Sequence, residues 1–291
     1  MRTIVTIYSD SQPADGIMST LAALDAKNKN FRVVDWNPNV KPAFDMFAEL
    51  NPDLIVSNAT NTPNLSGALK EYSCKTVVCG SMPPASLEPD LLLLPESIPE
   101  MIIKHCTLPY LQVKNAANYA KFRGGKRDRK KQADILYFAS HKEAQSQEAD
   151  ILSILSGLPY SFRVVGHKRP LLQYVGATTL QETADFMASS KIVIDIGGFQ
   201  LHDIAMQKGF CLSNVENGLY PCLHSLDPEK IEEQVEDLLS QDKKRDSIAK
   251  KAYKETVSKD TYFHRLSEAF ILLGWDDEAK EVTKTLKELT E

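Results

Sequence analysis

Short apolar runs rich in Val, Ile and Leu recur along the chain, separated by longer stretches with apolar residues on one face only. A short buried run bounded by turn residues reads as a strand, and an apolar stripe at three- and four-residue spacing reads as a helix. In the first half this pattern predicts strands at 3–8, 31–36, 54–56, 75–79 and 91–94. Helices are predicted at 16–26, 42–50, 64–71, 98–106 and 109–122. The second of these should stop at Asn51, because a residue before proline is pushed out of the helical region. In the second half strands are predicted at 134–139, 162–166, 192–196 and from 210, with a short extended piece at 172–175. Helices are predicted at 145–155, 178–189, 200–208, 242–257, 261–273 and 276–291. Thr178 or Thr179 with Glu182 resembles a capping box. Asp227 followed by Pro228 reads as the N-cap and first position of one more helix.

Strands alternating with helices in this way indicate parallel, doubly wound sheets. Ligands on such sheets bind where the strands end, so the residues after each predicted strand are the candidates. In the first half these are Ser9, Asp10 and Ser11, with Asn58 and Asn61. Ser, Asp and Asn are also ordinary turn formers. In the second half two strands end in cationic groups, His141-Lys142 and His167-Lys168-Arg169. A third ends in Gly197-Gly198 and leads into a helix carrying His202 and Asp203. Free N–H groups at a helix start favour phosphate, so the three together read as an anion site. The first strand is not followed by GxGxxG, which removes the usual dinucleotide fingerprint.

Net charge is −5 over 291 residues, so nothing in the overall balance points to nucleic acid. One local run departs from this balance. Arg123 and Lys131 bound RGGKRDRKK, six cations and one acid in nine residues. It reads as a solvated linker or as a contact for a polyanion such as DNA. On this basis the chain divides into a first domain at 1–108, a basic hinge at 109–132, a second domain at 133–274 and a C-terminal helix at 275–291. The five cysteines are irregularly spaced and include no CxxC pair, which argues against a zinc ribbon or a redox motif. The histidines are scattered, so no metal site is expected. No apolar run is long enough to span a membrane. A reducing, cytoplasmic setting is expected.

The stretch IVIDIGGFQLHDIAMQKGFCLSN, led by ADFMASSKIVID and followed by DPEKIEEQVEDLL, resembles the nucleotide-sugar-binding domain of GT-B glycosyltransferases. The ending KDTYFHRLSEAF is similar to the closing motif of the spore-maturation-protein-like, group 1 branch of that family. The likeness runs from about residue 135 to 273. It implies two Rossmann-like α/β domains with a cleft between them, the first serving the acceptor. It also implies a nucleotide-diphosphate sugar as donor, with no further cofactor and no bound metal. In that family the helix acid lies five residues before the helix-ending glycine and binds the donor ribose. Here Asp203 lies six before Gly209, and Ile204 holds the family position.

The expected reaction is therefore sugar transfer to a hydroxyl acceptor, a hydroxylated base in DNA being one candidate through the basic run. Donor contacts are expected from His141, Lys142, His167, Lys168, Arg169, Gly197, Gly198, His202 and Asp203. Acceptor contacts are expected from Ser9, Ser11, Asn58 and Asn61, with Asp10 as the base. Two alternatives are a sugar-nucleotide epimerase and a non-catalytic protein that binds a nucleotide sugar or polyanion. The absence of a Glu-Glu pair after Gly198 counts against the epimerase.

Overall fold

A computed structural model describes residues 1–7, 12–37, 41–57, 65–80, 87–96, 98–122, 124–139, 146–166, 175, 178–197, 201–214, 224–225 and 229–291. The chain forms two compact units, one of residues 1–115 with 262–291 and one of residues 116–261.

The first unit opens with β1 (Arg2–Ile7), α1 (Gln12–Lys27), β2 (Phe31–Asp35), α2 (Ala43–Leu50) and β3 (Leu54–Ser57). It continues with α3 (Leu65–Glu71), β4 (Lys75–Cys79), β5 (Leu91–Pro95), α4 (Glu100–Lys104) and β6 (Tyr110–Val113). All six strands are parallel, in the order β2-β1-β3-β4-β5-β6. Ile4, Val5, Leu54, Ile55, Val78, Leu92 and Leu94 are fully buried, as strands covered on both faces require. α2 ends as its sequence dictates, with Asn51 in the left-handed region at φ 41° and its N–H on the Phe47 carbonyl.

One expected helix is absent. Residues 109–122 instead supply β6 and an irregular segment. Tyr-Leu-Gln-Val pairs with the free edge of β5, Leu92 opposite Tyr110 and Pro95 opposite Val113. A strand edge offering unpaired N–H and C=O groups outweighed a weak helical pattern.

The second unit runs through β7 (Ile135–Ala139), α5 (Ser146–Gly157), β8 (Phe162–Gly166), α6 (Leu180–Ser189), β9 (Ile192–Asp195) and α7 (Leu201–Met206). It ends with β10 (Cys211–Ser213), β11 (His224–Ser225), α8 (Ile231–Ser240) and α9 (Asp242–Lys259). Its strands are also all parallel, in the order β11-β10-β9-β7-β8. α6 carries the expected box, since the Thr179 hydroxyl accepts from the Glu182 N–H and the Glu182 carboxylate accepts from the Thr179 N–H. α8 begins at Ile231 with no side-chain cap, while Asp227 and Pro228 lie outside the described residues. The unit is closed where the chain enters and leaves it. The Ala117 N–H donates to the Asp260 carbonyl at 2.8 Å, and Ala117 bridges Thr261.

The chain then returns to the first unit as α10 (Tyr262–Leu272) and α11 (Asp276–Thr290). The expected second domain extended to 274, so the boundary differs by one helix. The cause is aromatic packing. Phe270 stacks on Phe31 at 6.1 Å, and both rings are buried. Trp275 lies beneath the Arg2 guanidinium at 4.6 Å. Arg2 also pairs with Asp53 at 3.0 Å and Glu278 at 2.7 Å. A buried apolar side chain is worth about 1.5–3 kcal/mol and an exposed ion pair about 0–1 kcal/mol, so the rings hold these helices and Arg2 orients them.

One device recurs in both sheets. Asp53, just before β3, accepts from the Thr3 N–H at 2.8 Å and pairs with Arg2 at the start of β1. Asp90, just before β5, accepts from the Thr76 N–H at 2.8 Å and from Lys75 at 3.1 Å. Asp134, just before β7, accepts from Ser161 before β8 and from Lys191 before β9. Burial pushes the Asp134 carboxyl up, but the bonds from Lys191 and Ser161 outweigh it and hold the group below the usual carboxylate range.

α1 meets α10 at Gly16, where an added Cβ would stand 2.3 Å from Cε2 of Tyr262. Gly16→Ala is expected to cost about 1–3 kcal/mol by overpacking, measured by urea unfolding. Combined with Tyr262→Ala, the cost should fall short of the sum of the single changes; simple additivity would show that this contact is not the cause.

Candidate functional site

In the second unit the strand order reverses between β7 and β9. The crevice outside the C-terminal ends at such a point is where doubly wound sheets take ligands. β7 ends at Ala139 and β9 at Asp195, with Ile194 opposite Tyr137 in register. The segments that follow these strands carry His141-Lys142 and Gly197-Gly198. In the topology the ends of β7 and β9 are thus neighbours at one edge of the sheet. β8, which His167-Lys168-Arg169 follow in sequence, lies on the other side of β7.

Several described groups shape this edge. Ser213 pairs in register with Asp195, and both are buried. Gly197 has φ 94°, a left-handed value that favours glycine, and its N–H donates to Asn214 Oδ1 at 2.8 Å. That N–H is thus already used within the protein, and a phosphate at the turn would meet other donors. Gly166 ends β8 at φ 91°, and an added Cβ would lie 2.5 Å from the Ala139 carbonyl oxygen. Only glycine lets β8 close on β7 there. Burial pushes the Cys211 thiol well above its ordinary value, with the charge of Asp195 adding to it. Cys79 in the first sheet is pushed up to about 12 by burial alone. Both are inert core thiols.

α7 places its side chains on two faces. Ile204, in the position where the resembled family carries its acid, is fully buried among Leu136, Val165, Phe186 and Met187. Asp203 points elsewhere, and its Oδ1 accepts from the Asn118 N–H at 2.8 Å. One turn on, Gln207 is buried, donates to the Phe122 carbonyl at 3.3 Å and accepts from the Gly125 N–H. Asp203 and Gln207 together clamp the segment leading into the basic run. His202 is 6% exposed, so it is a buried histidine rather than a surface one.

The basic run itself is not a free linker. Its backbone lies along α6, with the Lys126 N–H on Asp185 at 2.9 Å and the Asp128 N–H on the Ser189 hydroxyl at 2.8 Å. Lys131 pairs with Asp185 at 2.7 Å. Burial would raise the Asp185 carboxyl, but the bonds from Lys131, Lys126 and Gln181 outweigh it and hold the group below its usual range. An added Cβ on Gly125 would fall 2.1 Å from the Ala184 carbonyl, so this glycine lets the run approach α6. The run belongs to the second unit and leads directly into β7. It therefore lies at the N-terminal edge of that sheet, the edge opposite Gly197.

Of the expected site residues, Gly197, His202 and Asp203 are described. Ser9, Asp10, Ser11, Asn58, Asn61, His141, Lys142, His167, Lys168, Arg169 and Gly198 lie outside the described residues, as does Arg123. Asn214 and Gln207 were not singled out from the sequence. Gln207 was within reach of it, since it stands one helical turn after Asp203. Among the described residues no group of three or more His, Cys, Asp or Glu side chains is placed to hold a metal, and no helix is long and apolar enough to cross a membrane.

No protein-family model matches the sequence, and no curated protein matches it. Solved structures do. An α-glucosyltransferase in complex with UDP-glucose and DNA containing an abasic site is similar with a TM-score of 0.64 and 14% identity, over 94% of this chain and 99% of that one. The HepE protein of Anabaena in complex with UDP and glucose gives 0.61 and 9%, over 93% and 99%. A putative UDP-N-acetylglucosamine 2-epimerase from Listeria monocytogenes gives 0.58 and 10%, over 92% and 95%. The chain has the GT-B fold. At these identities the likeness concerns the two Rossmann-like units and not the chemistry they carry out.

Asp203→Ala removes the acceptor for Asn118 and is expected to cost about 1–3 kcal/mol of stability, read by urea unfolding. An unchanged unfolding free energy would show that this bond does not hold the 116–122 segment.

Proposed function

We propose that this chain is a glycosyltransferase that moves a sugar from a nucleotide-diphosphate donor to a hydroxyl acceptor. The observation that carries the proposal is the strand reversal between β7 and β9 in a GT-B fold, the strands that His141-Lys142 and Gly197-Gly198 follow in sequence. Support comes from the solved relatives that hold UDP-glucose, or UDP and glucose.

In the proposed reaction the acceptor oxygen bonds to the sugar's anomeric carbon as the bond from that carbon to the diphosphate oxygen breaks. The acceptor's proton passes to Asp10, acting as general base. The diphosphate leaves with the bonding electron pair. Its growing charge is met by His141, Lys142, His167, Lys168 and Arg169, with backbone N–H donors at Gly198. Fixed cations and N–H groups stabilise such charge without reorganising during the reaction. His202 and Asp203 are proposed to border the donor nucleoside, while Ser9, Ser11, Asn58 and Asn61 hold the acceptor. The reading needs no metal ion and no cofactor beyond the donor. The ending KDTYFHRLSEAF supports placing it in the spore-maturation-protein-like branch.

Among acceptors, a hydroxylated base in DNA is favoured by the DNA-bound relative. A second reading, a sugar-nucleotide epimerase, is favoured by the similar UDP-N-acetylglucosamine 2-epimerase folds. Incubation with donor alone separates the two, since an epimerase changes the sugar without any acceptor.

A panel of nucleotide sugars is expected to contain one that raises the unfolding free energy by about 2.7 kcal/mol when present at a hundred times its Kd. No stabilisation by any of them would overturn the donor reading. With that donor, Asp10→Asn is expected to lower kcat by about 10²–10⁴-fold and leave donor affinity unchanged. Full turnover in this variant would remove Asp10 as the base.

A further inference from the structure

A cavity of about 460 Å³ in the second unit opens at the N-terminal edge of its sheet, where no donor contact is assigned. Lys191 and Phe210 in its wall immediately precede β9 and β10, which fixes that edge. Five cations line it: Arg127, Arg129, Lys191, Lys208 and Arg245. Its three carboxylates are engaged within the wall. Asp246 pairs with Arg127 at 3.4 Å, Asp242 pairs with Arg245, and Asp128 accepts from the Lys130 N–H at 2.9 Å.

Two of the cations have no such partner. Arg129 and Lys208 are exposed, and no ion pair joins either to a described carboxylate. Lys208 lies over the Tyr253 ring at 4.6 Å. It also has φ 57°, a strained conformation that glycine would take freely. A lysine held there at a conformational cost is a reason to look for a role of its side chain.

The positive surface extends beyond the cavity. α9 carries seven cations against three carboxylates, in a protein whose net charge is −5. From Asp246 in the cavity wall, helical spacing leads to exposed Lys250 and Lys254 along the same side of α9. On the other side of the cavity, exposed Lys126 and Lys130 continue the basic run. A strip of cations from two elements on either side of a concave, polar surface suits a ligand with phosphates at repeated spacing.

We infer that the cavity and the flanking face of α9 form a second anion site, which holds the phosphate backbone of a nucleic acid at the sheet edge opposite the proposed donor crevice. This site is a tether, outside the reacting centre. It deepens the DNA-acceptor reading but does not need it, because the surface would hold nucleic acid whichever hydroxyl receives the sugar.

The test is binding of a labelled duplex of about 20 base pairs, followed by fluorescence anisotropy across a series of salt concentrations. The intact protein is expected to bind with a steep salt dependence. Arg129→Ala with Lys208→Gly should weaken binding and flatten the slope of log K against log salt by about two. Lys250→Glu with Lys254→Glu, on the exposed face of α9, should weaken it independently, with neither variant melting below the parent. Absence of duplex binding at low salt, or an unchanged slope in both variants, would overturn the inference. So would a cavity that takes inorganic pyrophosphate in a Lys208-dependent way while the duplex fails to bind, since the site would then serve small anions. Donor affinity measured in the same variants should not change, which keeps the outcome distinct from that of the donor reading.

Discussion

A carboxylate placed just before a strand, accepting from the first N–H groups and cations of its neighbours, recurs three times in this chain. Asp53, Asp90 and Asp134 each tie strand beginnings together. Parallel strands lack a hairpin to set their register, and a slip of one residue would turn every buried side chain to the other face. A charged hydrogen bond at the strand start favours one register over the other. With register fixed at the N-terminal ends, the opposite ends are released from that duty. They carry the polar and glycine-rich segments, and the expected ligand contacts are found in those same segments. Register is thus set at the strand starts, while the residues expected from the sequence to meet a ligand follow the strand ends.

The alternation of strands and helices was readable because parallel strands, buried on both faces, leave strong apolar runs. Ile135, Val164 and Ile192 could be nothing else. Residues 109–122 were harder, since whether Tyr-Leu-Gln-Val becomes a strand depends on the free edge of β5, which no local pattern reveals. The fate of α10 was hidden for a similar reason. Its amphipathic stripe announces a helix but does not name the surface it covers, and Phe31 lies far away in sequence. The site was legible as residue types at strand ends. Its internal wiring was not, because the bonds from Asn214 to Gly197 and from Asp203 to Asn118 join segments distant in the chain.

α7 shows how little sequence separates a structural role from a binding one. Ile204 fills the core in the place where the resembled family has an acid, and the acid beside it turns toward residues 116–122. Together with Gln207 it holds the start of the basic run, so the run enters as an ordered wall of the second unit rather than as a linker. The cations of that wall then stand at the edge of the sheet farthest from Gly197. The run, read from the sequence as a solvated linker or a polyanion contact, is packed on α6.

The first unit is interrupted: it leaves off at residue 115 and resumes at 262. Residues 116–261 are continuous, and their two ends are joined by the bridge of Ala117 to Thr261. During synthesis the inserted unit can reach its final state as soon as its own residues have emerged, since domains fold as units. The unit begun first must wait. Phe31 stays uncovered and Arg2 lacks Glu278 until residues 262–291 leave the ribosome, at roughly 5–20 residues per second. The N-terminal sheet is therefore completed only after the inserted unit, and a chain cut short near residue 261 would carry a finished second unit and an exposed aromatic face on the first.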